Sequence, residues 1–114
     1  MICSKIPNTF FEGIQTLDIS LSDHSLNQLN HYLCLLLETN KKFNLTATKE
    51  PNEAWQRHIL NSLILVRFLG DGEKVIDIGS GGGLPGIPLA IVRPDLTMTL
   101  LEATKKKLNF LKQL

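Results

Sequence analysis

The segment Val75-Ile-Asp-Ile-Gly-Ser-Gly-Gly-Gly-Leu-Pro-Gly86 restricts the fold more than any other stretch of the chain. The run at 74–78, with Val75, Ile76 and Ile78, reads as a strand buried on both faces of a parallel sheet. Glycines directly after it let the backbone turn sharply and leave no side chains to block a ligand. Residues 79–83 are therefore a turn and 84–92 a helix, with Pro85 and Pro88 confined to its first turn or just before it. Arg93-Pro94-Asp95 reads as a loop and 97–101 as a second β-rich run. From Thr104 onward the pattern is helical, with Leu108, Leu111 and Leu114 on one face. Strand, helix, strand and helix make a βαβ unit, so the fold class is α/β.

Ahead of Gly70 the periodicity is helical throughout. Residues 8–17 predict a short helix with Phe10, Phe11, Ile14 and Leu17 at spacings of three and four. A longer helix is capped by Ser22 or Asp23 and carries Leu26, Leu29, Leu33, Leu36 and Leu37 on one stripe up to Asn40. A third begins at Pro51 and runs through Trp55, Ile59, Leu63 and Val66 until Gly70-Asp71-Gly72 stops it. The division is thus a helical extension over 1–70 and the first part of a Rossmann-like domain over 71–114. With 114 residues, 43% of them hydrophobic, and a net charge of +1, nothing pulls the chain globally toward nucleic acid or anionic membrane. The two cysteines, Cys3 and Cys34, form no disulfide framework and no CxxC pair. Cys34, inside an apolar run, reads as a buried thiol in a reducing compartment. No stretch approaches a membrane span and no secretory leader is visible, which places the protein in the cytoplasm.

Asp77 decides between ligands for the turn. Gly81, Gly83 and Gly86 satisfy the G-x-G-x-x-G spelling of dinucleotide folds, where a helix N-terminus faces a pyrophosphate. A carboxylate two residues ahead of Gly79 would repel that anion. S-adenosylmethionine carries a sulfonium and an ammonium instead, and an acid at the strand end favours it. Glu102 closes the next strand, where it can accept hydrogen bonds from both ribose hydroxyls of an adenosine, a role common to both cofactor classes. A corner that binds nothing, with Asp77 capping backbone amides, is the plain structural alternative. An NAD(P)-dependent half-domain and a non-catalytic helical interaction module are the competing functional classes. Two strands and one crossover leave a sheet partly bare, so the chain is expected to be truncated or completed by another polypeptide.

The same residues carry a family resemblance. Phe43-Asn-Leu-Thr46, Arg57-His-Ile-Leu-Asn-Ser-Leu63, the stretch from Val75 through Gly-Leu-Pro-Gly-Ile-Pro to Ala90, and Leu100-Leu-Glu-Ala-Thr-Lys-Lys-Lys107 with Phe110-Leu111 stand in family order and spacing. From about Leu17 to the end, the sequence resembles the bacterial 16S ribosomal RNA guanine-N7 methyltransferases, the glucose-inhibited division protein B family, in their N-terminal part only. The resemblance implies a seven-stranded methyltransferase fold with an N-terminal helical extension. It also implies methyl transfer from S-adenosylmethionine to N7 of one guanosine in the small ribosomal subunit.

By position the resemblance sets Gly79 and Leu84 at the cofactor and Glu102 at its adenosine ribose; Asp77, Ser80, Gly81 and Gly83 join them as cofactor-binding candidates from the turn itself. It sets Asn44, Thr46, Arg57, His58 and Ser62 in motifs beside the turn. Asn61 departs from the family pattern, where an Asp is usual, so an ion pair from that site to Arg57 is not expected. No catalytic residue is assigned: guanine N7 carries no proton, and the transfer needs alignment rather than a base. His58 accordingly reads as structural. Lys105, Lys106 and Lys107 oppose the dipole of the helix they begin. Lys106 and Lys105, with Arg57 and His58, are the candidate contacts to 16S ribosomal RNA, and Lys41 and Lys42 beside Phe43 are weaker ones. The implied parent is a monomer with neither metal nor membrane partner. Later strands would complete the adenine pocket, so a chain ending at Leu114 is expected to bind cofactor weakly, if at all, and not to turn over.

Overall fold

The computed structural model describes residues 5–46, 48 and 50–114. Helix α1, Asn8–Thr16, buries Phe10 and Ile14. Helix α2, Asp23–Asn40, is capped by Ser22, whose hydroxyl accepts the Ser25 N–H at 3.1 Å, and has Asp23 in its positive first turn. Its apolar stripe lands where the spacing put it: Leu29, Leu33 and Leu36 are fully buried, Leu37 nearly so, and Tyr32 joins them.

The helix expected from Pro51 exists as a run over 51–68 wound in more than one way. Helix α3, Pro51–Ala54, starts with the Glu50 carboxylate accepting the Glu53 N–H at 2.9 Å. A π-helical stretch follows at Trp55–Leu60, then α4 at Asn61–Leu63, then a 3-10 turn at Ile64–Phe68. The wider π turn carries Trp55, Ile59 and Leu60 together into the core. Gly70 and Gly72 do not end the run alone. The Arg93 guanidinium donates to the carbonyls of Val66, Leu69 and Gly70 at 3.1–3.2 Å and holds Asp95 through two more bonds at 2.8 and 2.9 Å. Carbonyls left over at a helix end are thus met by a side chain from the far side of the βαβ unit.

Strands β1, Lys74–Ile78, and β2, Thr97–Leu101, pair in parallel from Lys74 opposite Thr97 to Ile78 opposite Leu101. Helix α5, Gly86–Val92, joins them and lies between the sheet and helices α2 and α4. It begins at Gly86 rather than at 84, because Gly83 and Leu84 both donate to the Ser80 carbonyl and are spent on closing the turn. Strand β1 is not buried on both faces: Ile76 is 61% and Ile78 79% exposed, since the described helices cover one side of the sheet. Helix α6, Lys105–Leu111, turns Phe110 into the core, whereas Leu114 lies beyond the helix and is exposed. The Phe10 and Trp55 rings pack tilted against each other at 4.8 Å between centroids, and Phe110 belongs to the same cluster, so one core runs from the extension into the βαβ unit.

Cys34 is buried as its setting implies, but its sulfur is disulfide-bonded and not a free thiol. Spacing missed this because a disulfide depends on the approach of two sulfurs in space. Cys3 lies outside the described residues. Among the described residues, no helix is long and apolar enough to cross a membrane, and no group of three His, Cys, Asp or Glu side chains could hold a metal.

Candidate functional site at the glycine turn

The turn at 79–85 is shaped by its own amides and by two carboxylates. Gly79 and Ser80 donate to the Leu101 carbonyl at 2.8 and 3.1 Å, which continues the ladder past the end of β1. The Ser80 hydroxyl, buried, donates to the Asp77 carbonyl at 2.9 Å. Glu102 binds the turn from the end of β2: one oxygen accepts the Gly81 N–H at 2.7 Å and the other the Thr104 N–H at 2.7 Å. These amides, Thr104 first, hold the Glu102 carboxyl below its ordinary range. Each of its oxygens keeps a second lone pair that a hydroxyl can use.

Asp77 caps a backbone amide of the turn. Its Oδ2 accepts the Gly86 N–H at 3.0 Å, capping the start of α5. Burial pushes its carboxyl up from the usual range, and the Gly86 hydrogen bond opposes that shift. The place where a dinucleotide fold seats its pyrophosphate is therefore filled by the protein's own carboxylate, and a second anion there would meet like charge.

The glycines serve different ends. Gly79 has φ +72 and a Cβ there would touch nothing within 4 Å, so its face of the turn is open to a ligand. A Cβ on Gly83, at φ +95, would come within 2.6 Å of Ile87 and 3.2 Å of Leu111, and one on Gly86 within 2.4 Å of Leu100. One end of the turn faces outward, and the other is packed against the fold. Leu84 is half-buried and packs against the main core.

Two residues that hold this arrangement escaped the sequence. Tyr32, fully enclosed in α2, donates its hydroxyl to the Gly82 carbonyl at 2.6 Å across fifty residues of chain. Burial, with the Asp77 charge adding, pushes the Tyr32 phenol far up, so it stays a donor. Its spacing between Leu29 and Leu36 marks it as core-facing, but no local signal names its partner. Asn40 is the other. Its Oδ1 accepts the N–H groups of Leu45 and Thr46 at 2.8 and 3.0 Å, so Asn40 folds the loop that follows α2.

Asp77, Gly79, Ser80, Gly81, Gly83, Leu84 and Glu102 thus converge on one turn. The upstream motif reaches it indirectly: the position of a Gly82 Cβ lies 3.5 Å from Leu45, and the neighbouring Thr46 hydroxyl bonds the His58 ring. His58 is half-buried, and burial first, then Arg57, lowers its pKa. Ser62 donates to the His58 carbonyl at 2.6 Å. Arg57 is exposed and pairs with Glu53 at 3.0 Å, one turn back, so it has an acid although Asn61 is not one. Lys105 and Lys106 are exposed on the first turn of α6, three and four residues beyond Glu102.

The family model for rRNA small subunit methyltransferase G matches residues 25–114, which include every residue of this turn. The chain belongs to that family. Ribosomal RNA small subunit methyltransferase G of Shigella flexneri is 52% identical over 95 residues, 83% of this chain. The protein of that name from Sorangium cellulosum is 46% identical over 108 residues, 92% of the chain, and that of Escherichia coli O1:K1 is 50% identical over 95 residues. In all three the match spans 45% of the relative's length. A βαβ unit behind N-terminal helices is the portion of an α/β methyltransferase fold that this chain supplies.

Proposed function

We propose that the glycine turn is the S-adenosylmethionine-binding turn of a cytoplasmic methyltransferase that modifies N7 of a guanosine in 16S ribosomal RNA. The observation that carries the cofactor reading is the face of the turn left open at Gly79, flanked by the carboxylates that β1 and β2 bring to it, Asp77 and Glu102. That combination suits a cationic, adenosine-bearing ligand and not a pyrophosphate. Family membership supports the methyl-transfer reading, and the names of the relatives support ribosomal RNA of the small subunit as substrate.

The cofactor would supply an electrophilic methyl group on sulfur. Asp77 would provide negative charge for the cationic part of the cofactor, and Glu102, kept ionised by two amides, would accept from its ribose hydroxyls. Gly79, Ser80, Gly81 and Gly83 shape the turn beneath them, and Leu84 supplies an apolar contact. The acceptor nitrogen carries a lone pair and no proton, so the protein's work is alignment. His58, tied to Thr46, steadies the upstream loop. Lys106, Lys105 and Arg57 face RNA phosphates, which makes binding salt-dependent. The whole protein acts as a monomer on the small subunit.

Calorimetric titration of a folded form extended past Leu114 with S-adenosylhomocysteine and with NAD tests this reading. The homocysteine compound should bind, and Asp77→Ala or Gly79→Leu should weaken it by about tenfold or more. Binding of NAD instead, or of neither ligand, would remove the cofactor assignment.

A further inference from the structure

The helical extension backs the glycine turn, and a single hydroxyl makes the connection. Tyr32 is 2% exposed, and its hydroxyl sits 2.6 Å from the Gly82 carbonyl. Leu36, one turn further along α2, lies 2.7 Å from where a Gly82 Cβ would stand, and the Tyr32 hydroxyl lies 3.4 Å from that of Gly83. Gly82 and Gly83 therefore rest directly on α2, while Gly79 on the other end of the turn faces open space. A peptide at the middle of a glycine-rich turn has few side-chain constraints of its own, so an external hydrogen bond sets its orientation.

We infer that Tyr32 is a positioning residue for the cofactor turn: its hydroxyl fixes the Gly82 peptide and so holds the open face in the shape an adenosyl ligand meets. This rests on the cofactor reading above and extends it to a residue outside the βαβ unit. The extension is then part of the binding apparatus, since α2 holds the turn from behind.

Tyr32→Phe keeps the ring and removes only the hydroxyl. Two readouts on the 114-residue chain decide the matter. In amide hydrogen exchange without ligand, Gly83 and Leu84, whose N–H groups close the turn on Ser80, should exchange about fivefold faster or more. The Leu33 and Leu37 amides of α2 should not change. In calorimetry, S-adenosylhomocysteine should bind about fivefold more weakly. Leu33→Val, which thins the same core, should lower the melting temperature and leave the affinity unchanged. Equal acceleration along α2 and the turn would reduce Tyr32 to a packing residue and overturn the inference. So would unchanged affinity beside a loosened turn, or an unchanged turn. If the 114-residue chain bound no S-adenosylhomocysteine, the exchange data would decide whether Tyr32 sets the turn, and titration of a form extended past Leu114 would decide the cofactor reading, which absence of binding there would remove.

Discussion

Gly79 and Gly83 share a positive φ but not a neighbourhood, and the difference can be measured. Alanine at Gly79 meets empty space, so only the left-handed backbone opposes it, at about 1–2 kcal/mol. Alanine at Gly83 adds an overlap with Ile87 and Leu111 and should cost about 2–4 kcal/mol in all. Urea unfolding of the two variants should give that order, with Gly79→Ala the milder for stability. His58 makes a second prediction at this scale. Its folded pKa is lowered, so the native state holds the imidazole proton less tightly than the unfolded chain does. The stability this contributes is complete above the ordinary histidine range and is lost as pH falls through about 6.5 toward the folded value. Melting temperatures across that interval should fall toward acid, and His58→Gln should flatten that part of the profile.

Among the elements, the junction of the helical run 51–68 with β1 depends on Arg93 from the loop after α5. One planar guanidinium reaches three carbonyls and both oxygens of Asp95, a geometry that a point-like ammonium cannot copy. Arg93→Lys should therefore behave like Arg93→Ala, with faster amide exchange at Leu69 and Glu73 and little change in α2. A lysine that restored wild-type protection would show that charge alone sufficed. The π-helical stretch belongs to this scale too. Apolar spacing from Trp55 to Val66 predicted a helix correctly, but the choice between an i+4 and an i+5 ladder depends on what the side chains pack against. The same reason shortened α5: two prolines marked its start to within a turn, and the closure of Gly83 and Leu84 on Ser80 fixed the rest.

At the scale of the molecule, the helices bury one side of a two-stranded sheet and leave the other bare. Ile64, Leu65, Phe68, Ile76, Ile78 and Leu101 are all exposed, and β1 has one partner strand among the described residues. An apolar face next to an unpaired strand edge favours association. Sedimentation should show concentration-dependent self-association of this chain, and Ile76→Lys with Ile78→Lys should abolish it without lowering the melting temperature by more than a few degrees. A monomer at all concentrations would refute that use of the bare face. Local pattern was enough to place helices ahead of the sheet, both strands to the residue and the glycine turn with Asp77 and Glu102 at its two strand ends. Those features follow from local periodicity and from residues whose backbone or charge admits few settings. Only the tertiary structure decided which amide Asp77 caps, which two Glu102 holds, what Tyr32 and Arg93 grasp, and which face of β1 is covered. Each of these joins groups distant along the chain, and nothing local in the sequence specifies which of them meet when the core closes.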